Sequence, residues 1–289
     1  MADTVTIYEV GPRDGLQNEK RLIPATDKVR LIDLLAAAGF QKIEATSFVS
    51  PKWVPQMADA AEVMAAITRK PGVTYAALTP NMKGYEAAKT ARVDEVAVFA
   101  AASEAFSQKN INCSIAESLE RFRPVVEAAK ADGIPVRGYV SCVTDCPYSG
   151  SVPPEAAARV TEALFALGCY EVSLGDSIGK AAPEAVAAML DAVLNISEAA
   201  NLAGHFHDTG GRALDNIAVS LENGLRTFDS SVGGLGGCPY APGAKGNVAT
   251  GRVVDYLDRA GFATGIDRAG LAAAEAFVAG LALGEENRG

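Results

Sequence analysis

The feature that most constrains the fold of this chain is a regular alternation of strand-like and helix-like segments. Eight short apolar stretches recur at intervals long enough to hold a helix between them. We place these strands at Val5–Val10, Lys42–Ala45, Thr74–Leu78, Glu95–Ala100, Pro135–Cys142, Glu171–Leu174, Ala203–His207 and Thr227–Ser230. This alternation predicts parallel βαβ units, because a crossover helix returns the chain to the start of the next parallel strand.

Helical spacing of apolar residues fills most of the intervals between the predicted strands. The helices that we predict there are Asp27–Ala38, Asp59–Ile67, Ala116–Ala131, Pro154–Leu167, Pro183–Ala199 and Leu214–Asn223. Glycines follow several of them just before the next strand, as expected of left-handed helix caps, at Gly39, Gly133, Gly168 and Gly224. Two further helical segments, at about Thr250–Ala260 and Asp267–Leu283, come after the eighth strand.

Eight strands are the number that closes a parallel barrel, so we predict an α/β fold, a (β/α)8 TIM barrel with additional C-terminal helices. The alternative is a doubly wound open sheet. Such a sheet usually carries a glycine-rich phosphate loop after its first strand, and the segment GPRDG at 11–15 does not fit that fingerprint. We expect one catalytic domain over residues 1–289, with the barrel at about 4–249 and a C-terminal helical segment at about 250–289.

Composition excludes several classes of partner. Apolar residues make up 49% of the chain and charged residues 21%, which is enough for a full-sized core. The formal net charge is −9 and no run of basic residues stands out, so nucleic acid and membrane surfaces are poor candidate partners. Five cysteines without zinc-finger spacing, and no signal-peptide pattern, predict a cytoplasmic protein with reduced thiols.

Both histidines of the chain, His205 and His207, lie in the segment AGHFHD at 203–208. A strand directs residues i and i+2 to the same face, so the two imidazoles are expected to point toward one site. Imidazole is a common ligand of divalent metals and a common general acid or base. The alternative is a pair of partly buried strand histidines that neighbouring hydrogen bonds satisfy.

Other polar residues fall at the ends of the predicted strands, where barrel enzymes carry their catalytic groups. Arg13 and Asp14 follow the first strand, Glu44 lies on the second and Asp176 follows the sixth. Asp14 could instead be a turn former in the Pro-Arg-Asp-Gly sequence. Glu44 and Asp176 are either ordinary strand-end charges or carboxylates that orient the metal ligands and Arg13.

Cys238 differs from the other cysteines because it lies in a glycine-rich segment after the eighth strand, between Gly233 and Gly246. Glycines let a backbone approach a ligand closely. A thiol on such a loop could act as an acid, a base or a redox-sensitive gate, and the alternative is a small apolar residue in a tight loop.

Long blocks of the chain resemble the 3-hydroxy-3-methylglutaryl-CoA lyase family, and the resemblance to a bacterial member covers nearly the whole sequence. The blocks are EVGPRDGLQNE at 9–19, TSFVSPKWVPQM at 46–57, KNINCS at 109–114, RGYVSC at 137–142 and GLGGCPY at 234–240. The strand-end Pro-Arg-Asp with His-x-His is shared more widely, by metal-dependent aldolases and Claisen synthases. The long blocks favour the lyase.

The resemblance implies a carbon–carbon lyase that cleaves 3-hydroxy-3-methylglutaryl-CoA to acetyl-CoA and acetoacetate, as in leucine degradation. Asp14, His205, His207 and Asn247 fall at the family's metal positions, although Asn247 by itself would read as a loop asparagine. A mixed nitrogen and oxygen ligand set without a thiolate favours Mg²⁺ or Mn²⁺ over structural zinc.

The resemblance also implies roles for the remaining candidates. Arg13 would contact the substrate and stabilise the enolate, His205 and Asp14 would move protons, and Cys238 would be the catalytic thiol. Supporting carboxylates and pocket residues would be Glu44, Asp176, Gln17 and Ser47. The family suggests a homodimer. The region LGEENR at 283–288 differs from animal members, which carry a basic residue there, and this leaves contacts to the CoA nucleotide unassigned.

Three alternatives retain the predicted barrel but assign it a different function. One is aldol cleavage of a 4-hydroxy-2-oxo acid or a Claisen condensation, although the larger synthases have an additional C-terminal region. Another is a longer-chain 3-hydroxy-3-acylglutaryl-CoA as the substrate. The third is a metal-binding scaffold without activity, which the presence of Arg13 and of every expected ligand disfavours.

Overall fold

A computed structural model of the chain describes residues 3–236 and 246–281. Within these residues the chain forms ten strands. They are β1 (Thr6–Glu9), β2 (Lys42–Ser47), β3 (Thr74–Leu78), β4 (Glu95–Ala101), β5 (Val136–Ser141), β6 (Asp145–Cys146), β7 (Gly150–Ser151), β8 (Glu171–Asp176), β9 (Leu202–Phe206) and β10 (Thr227–Ser230).

Eight of the strands close into a parallel barrel in the order β1-β10-β9-β8-β5-β4-β3-β2. All eight lie where the sequence places them, so the predicted barrel is confirmed. The two-residue strands β6 and β7 pair in antiparallel fashion in the loop after β5. The sequence does not predict this hairpin, because two residues per strand are too few to show a periodic pattern.

Ten α-helices accompany the strands within the described residues. They are α1 (Ala25–Ala37), α2 (Ala60–Ala66), α3 (Met82–Thr90), α4 (Glu104–Ile111), α5 (Ile115–Ala131), α6 (Pro154–Leu167), α7 (Pro183–Leu194), α8 (Ala213–Glu222), α9 (Thr250–Arg259) and α10 (Arg268–Gly280). The predicted helices are present, and the short helices α3 and α4 are additional. The end predicted for the last helix, Leu283, and the region 283–288 lie outside the described residues.

The glycines that follow helices adopt the left-handed backbone that their positions suggested. Gly39, Gly133, Gly168 and Gly224 all have positive φ angles, from 72° to 119°. Residues with a Cβ avoid this region, so glycine ends the helix and turns the chain toward the next strand at low cost.

The main apolar core lies between the barrel and its helices, where residues such as Ile43, Leu35 and Val98 are fully buried. The other face of the strands points into the barrel and carries charged groups, including Glu44 and Arg137, both without exposed surface. This alternation follows from the two-residue period of a strand. No described helix has the length and apolar character needed to cross a membrane.

The glycine at position 39 provides a test of this packing. A Cβ at Gly39 would lie 2.8 Å from the carbonyl oxygen of Gly265, whereas a Cβ at Gly133 would meet no atom within 4 Å. We expect Gly133→Ala to lower the free energy of unfolding by about 1 kcal/mol, through left-handed strain alone. Gly39→Ala should cost a further 1–3 kcal/mol, roughly, because the backbone must also shift.

Guanidinium unfolding of the two variants and the parent, followed by circular dichroism, measures these costs. Equal losses in the two variants would contradict the packing of Gly39 against Gly265.

Candidate metal centre and active site

The first part of the site is a five-residue π-helix, Gly11–Gly15, directly after β1. The carbonyl oxygen of Val10 accepts the backbone N–H groups of Asp14 at 2.8 Å and of Gly15 at 3.1 Å. This tight turn brings Arg13 and Asp14 to the carboxyl end of the barrel. The same five residues thus form a tight turn and present two charged side chains at the barrel mouth.

Asp14, His205 and His207 converge at this end of the barrel. Each offers a potential ligand atom, and these atoms all lie within 4.8 Å of one another. His205 is in β9, whereas His207 lies one residue beyond the end of the strand. Their ring centroids are 5.4 Å apart. The two imidazoles therefore lie close together, although only His205 belongs to the strand.

Asn247 reaches the same cluster from the segment that precedes α9. Its Nδ2 donates to Oδ2 of Asp14 at 2.7 Å and to the carbonyl oxygen of Leu235 at 3.1 Å. An isolated antiparallel bridge joins Asn247 to His207. The four residues at the expected metal positions are thus in mutual contact, directly or through one neighbour.

The protonation states in the cluster suit a divalent cation. Burial favours the neutral acid, but the charges of Arg13 and the histidines outweigh it and lower the pKa of Asp14 to about 2. Burial and the neighbouring His205 lower the pKa of His207 to about 4. The Nδ1 atom of His207 is buried and has no hydrogen-bond partner in the described part of the chain, and a bound cation would satisfy it.

Arg13 lies beside this cluster and is held by two carboxylates. Its Nε donates to Oε2 of Glu44 and its Nη1 to Oδ1 of Asp14, both at 2.7 Å. Burial opposes the charge, yet these two partners raise the pKa of Arg13. The guanidinium also lies 5.6 Å from the ring centroid of Tyr139. Arg13 is therefore a fixed positive charge next to the cluster, suited to a developing oxyanion.

Asp176 is the last residue of β8, and its carboxylate shapes the loop that follows. It accepts backbone N–H groups of Gly179 at 3.0 Å, Lys180 at 3.4 Å and Ala181 at 3.0 Å. Its carbonyl oxygen accepts the backbone N–H of His207 at 3.4 Å. Asp176 thus supports His207 through the backbone, whereas Glu44 contacts Arg13 through its side chain.

The remaining predicted residues lie at the same end of the barrel or outside the described part. Gln17 is half-buried two residues after the π-helix. Ser47 is the last residue of β2, and its hydroxyl donates to the carbonyl oxygen of Leu78 at 3.4 Å. Cys238 lies outside the described residues.

Sequence reasoning missed two residues beneath the cluster, Asp229 and Arg137. Asp229 is fully buried in β10, and its Oδ2 lies 3.1 Å from Nδ1 of His205. Arg137 in β5 donates to both oxygens of Asp229, at 2.7 and 3.2 Å. The sequence feature that could have identified these two residues is a charged side chain at an inward-facing position of a short strand. RGYVSC at 137–142 supported the resemblance without giving Arg137 a role.

Comparisons with known proteins agree with this geometry. The family model described as HMGL-like matches residues 4–278. A Pseudomonas aeruginosa relative named 3-hydroxy-3-isohexenylglutaryl-CoA/hydroxy-methylglutaryl-CoA lyase is 60% identical, over 91% of this chain and 88% of its own. The mitochondrial hydroxymethylglutaryl-CoA lyase of Bos taurus is 56% identical, over 95% of this chain and 84% of its own.

A solved structure agrees with the sequence relatives. The crystal structure of the HMG-CoA lyase from Brucella melitensis has a TM-score of 0.95 and 64% sequence identity, covering 96% of this chain and 98% of the other. The shared barrel, the matched family model and these levels of identity have one consequence: the chain belongs to the HMGL-like family.

Proposed function

We propose that this chain is a divalent-metal-dependent carbon–carbon lyase that cleaves 3-hydroxy-3-methylglutaryl-CoA to acetyl-CoA and acetoacetate. The observation that carries the proposal is the placement of Arg13 beside the cluster of Asp14, His205 and His207 at the barrel mouth. Family membership, with relatives named for this activity, supports the same reaction.

The family implies use of a divalent metal, and we propose Mg²⁺ or Mn²⁺ held by Asp14, His205, His207 and Asn247. The ionised carboxylate, neutral imidazole and amide oxygen that these residues can offer match the preferences of these ions. When bound, such a cation polarises the oxygen atoms of the substrate and lowers the pKa of its tertiary hydroxyl.

The cleavage requires a base for the hydroxyl proton and a partner for the enolate. Loss of that proton lets C3 become the ketone of acetoacetate while the C2–C3 bond breaks. The electron pair passes into the thioester as an acetyl-CoA enolate, which Arg13 stabilises and which is then protonated at C2. We propose that Asp14 or His205 accepts the hydroxyl proton, since both lie in the cluster that would hold the metal.

The other candidates have supporting roles in this proposal. Glu44 fixes the guanidinium of Arg13, and Asp176 accepts the backbone N–H of His207 through its own carbonyl oxygen. Gln17 and Ser47 are proposed to contact the substrate, and Cys238 to supply a thiol for proton transfer. These roles rest on their positions at the barrel mouth or on the family resemblance.

Three further proposals concern the whole chain. We propose that residues 1–289 form one catalytic domain, in which the barrel carries the site and the C-terminal helices pack outside it; contact between α10 and α1 supports this arrangement. We also propose a cytoplasmic location, on the cysteine usage of the sequence, and a homodimer, on the family resemblance.

Removal and return of the metal test the proposed reaction directly. We expect chelator-stripped protein to release no acetoacetate from 3-hydroxy-3-methylglutaryl-CoA, and added Mg²⁺ or Mn²⁺ to restore release. Acetoacetate is measured by a coupled reduction of the ketone. A folded protein that stays inactive with both metals contradicts the proposal and directs the search to longer acyl-CoAs, then to hydroxy-oxo acids.

The longer acyl-CoA is a specific second candidate because one relative is named for both 3-hydroxy-3-isohexenylglutaryl-CoA and hydroxy-methylglutaryl-CoA. The chemistry at C2 and C3 is the same for the two substrates. Comparison of kcat/KM for the two thioesters distinguishes them, since only the acyl pocket senses the longer chain.

Substitution of Arg13 tests enolate stabilisation. Arg13→Gln should lower kcat by about 10²–10³-fold, the loss that follows removal of one strong oxyanion donor. Mn²⁺ affinity should change far less than kcat, because Arg13 lies beside the proposed ligands and is not one of them. Arg123→Gln is the control, since the exposed Arg123 pairs with the exposed Glu120 on α5; unchanged turnover in Arg13→Gln would remove Arg13 from the mechanism.

Substitution of His207 tests the ligand assignment. His207→Ala should weaken Mn²⁺ binding by more than about 100-fold, because loss of residues that only orient a ligand already costs 10–100-fold. Electron paramagnetic resonance of free Mn²⁺ gives the affinity without any turnover. Asn223→Ala, at the end of α8, is the control and should bind Mn²⁺ as the parent does; an unaltered affinity in His207→Ala would exclude this ligand.

A further inference from the structure

The Nδ1 atoms of the two histidines in the cluster have different surroundings. Nδ1 of His205 faces the carboxylate of Asp229 at 3.1 Å. Nδ1 of His207 is buried, and no acceptor for it lies within residues 3–236 and 246–281. One ring is therefore held by a carboxylate and the other is not. The difference suggests a specific task for Asp229, beyond the metal site itself.

Strand pairing places Asp229 directly beside His205. The two residues are register partners in the parallel strands β10 and β9. Side chains at paired positions point to the same face of a sheet, here the barrel interior. The contact is thus part of the barrel framework and does not depend on a loop.

Among the residues that the structure describes, the hydrogen-bond partners of the Asp229 carboxylate other than His205 are all donors. Arg137 donates from Nη2 to Oδ1 at 2.7 Å and from Nη1 to Oδ2 at 3.2 Å. The hydroxyl of Ser173 donates to Oδ2 at 2.7 Å. A carboxylate that receives three donors, two of them from a guanidinium, is ionised and can only accept.

Arg137 is itself fixed from two other directions, which keeps Asp229 in place. Its Nε donates to Glu171 at 2.6 Å, and its guanidinium lies 4.0 Å from the ring centroid of Tyr8. The Arg137 side chain has no exposed surface. A buried guanidinium with aligned partners on each side leaves Asp229 little freedom to rotate.

We propose that Asp229 is a positioning residue that holds His205 as the Nδ1–H tautomer, which leaves the lone pair on Nε2 for the metal cluster. Because Asp229 can only accept, Nδ1 of His205 must carry the hydrogen. The same contact fixes the rotation of the ring. The consequence for metal affinity rests on the proposed metal-dependent function, whereas the tautomer does not.

Nuclear magnetic resonance can read this tautomer directly, because the chain contains only two histidines. Protein labelled with ¹⁵N-histidine and stripped of metal is measured at alkaline pH, where both rings are neutral, and His207→Ala assigns the signals. We expect the protonated nitrogen of His205 to be Nδ1. A wild-type signal that assigns the Nε2–H form to His205 overturns the proposal, and this measurement needs no variant of Asp229.

Asp229→Asn provides the second test. Its amide can donate to Nδ1 of His205, so the ring should switch to the Nε2–H form, and Mn²⁺ affinity should fall by about 10–100-fold. Glu171→Gln is the matched control, because it also removes one carboxylate from Arg137 but none from His205. In Glu171→Gln the tautomer and the Mn²⁺ affinity should both match those of wild type.

The outcomes separate this inference from the proposed function. A tautomer switch with unchanged Mn²⁺ affinity overturns the role of Asp229 in metal binding. Equal loss of Mn²⁺ affinity in Asp229→Asn and Glu171→Gln assigns the effect to the ion pairs of Arg137. That result overturns the specific role of Asp229. A wild-type Nδ1–H ring in a protein without lyase activity supports the tautomer assignment and contradicts the proposed reaction.

Discussion

Pairing of the first strand with the last closes the barrel, and the candidate site depends on this contact. Residues Thr6 to Glu9 of β1 pair in parallel with Thr227 to Ser230 of β10. The carboxylate of Glu9 then accepts the backbone N–H groups of Gly11 at 2.8 Å and of Val232 at 2.9 Å. The start of the chain and the segment after β10 are thereby joined at the barrel mouth, where Asp14 meets Asn247.

The barrel interior tolerates its charges because they are paired. Arg13 is matched by Glu44 and Asp14, and Arg137 by Asp229 and Glu171. Removal of one partner from such a buried pair typically costs about 3–5 kcal/mol, since the other charge is left unpaired. The same pairing gives the site fixed charges at defined positions, as a metal-dependent reaction with an anionic intermediate requires.

The histidine pair shows which contacts the spacing of residues along the chain can predict and which it cannot. The i, i+2 spacing correctly predicted that His205 and His207 share one site. The strand ends at Phe206, however, and the segment carrying Asn247 pairs with His207 in place of a neighbouring barrel strand. The contact of Asp176 with three loop amides was equally beyond the sequence, because it depends on the path of residues 177–181.

The sequence by itself determined the eight barrel strands, their order along the chain and most of the helices between them, since periodicity and glycine caps are local properties of the chain. It also brought Arg13, Asp14 and the histidines to one end, because the carboxyl ends of parallel strands meet there. Only the tertiary structure decided which side chains pair. Asp229 meets His205 and Arg137 through strand register and the closure of the barrel, and these contacts join residues 24 and 92 positions apart.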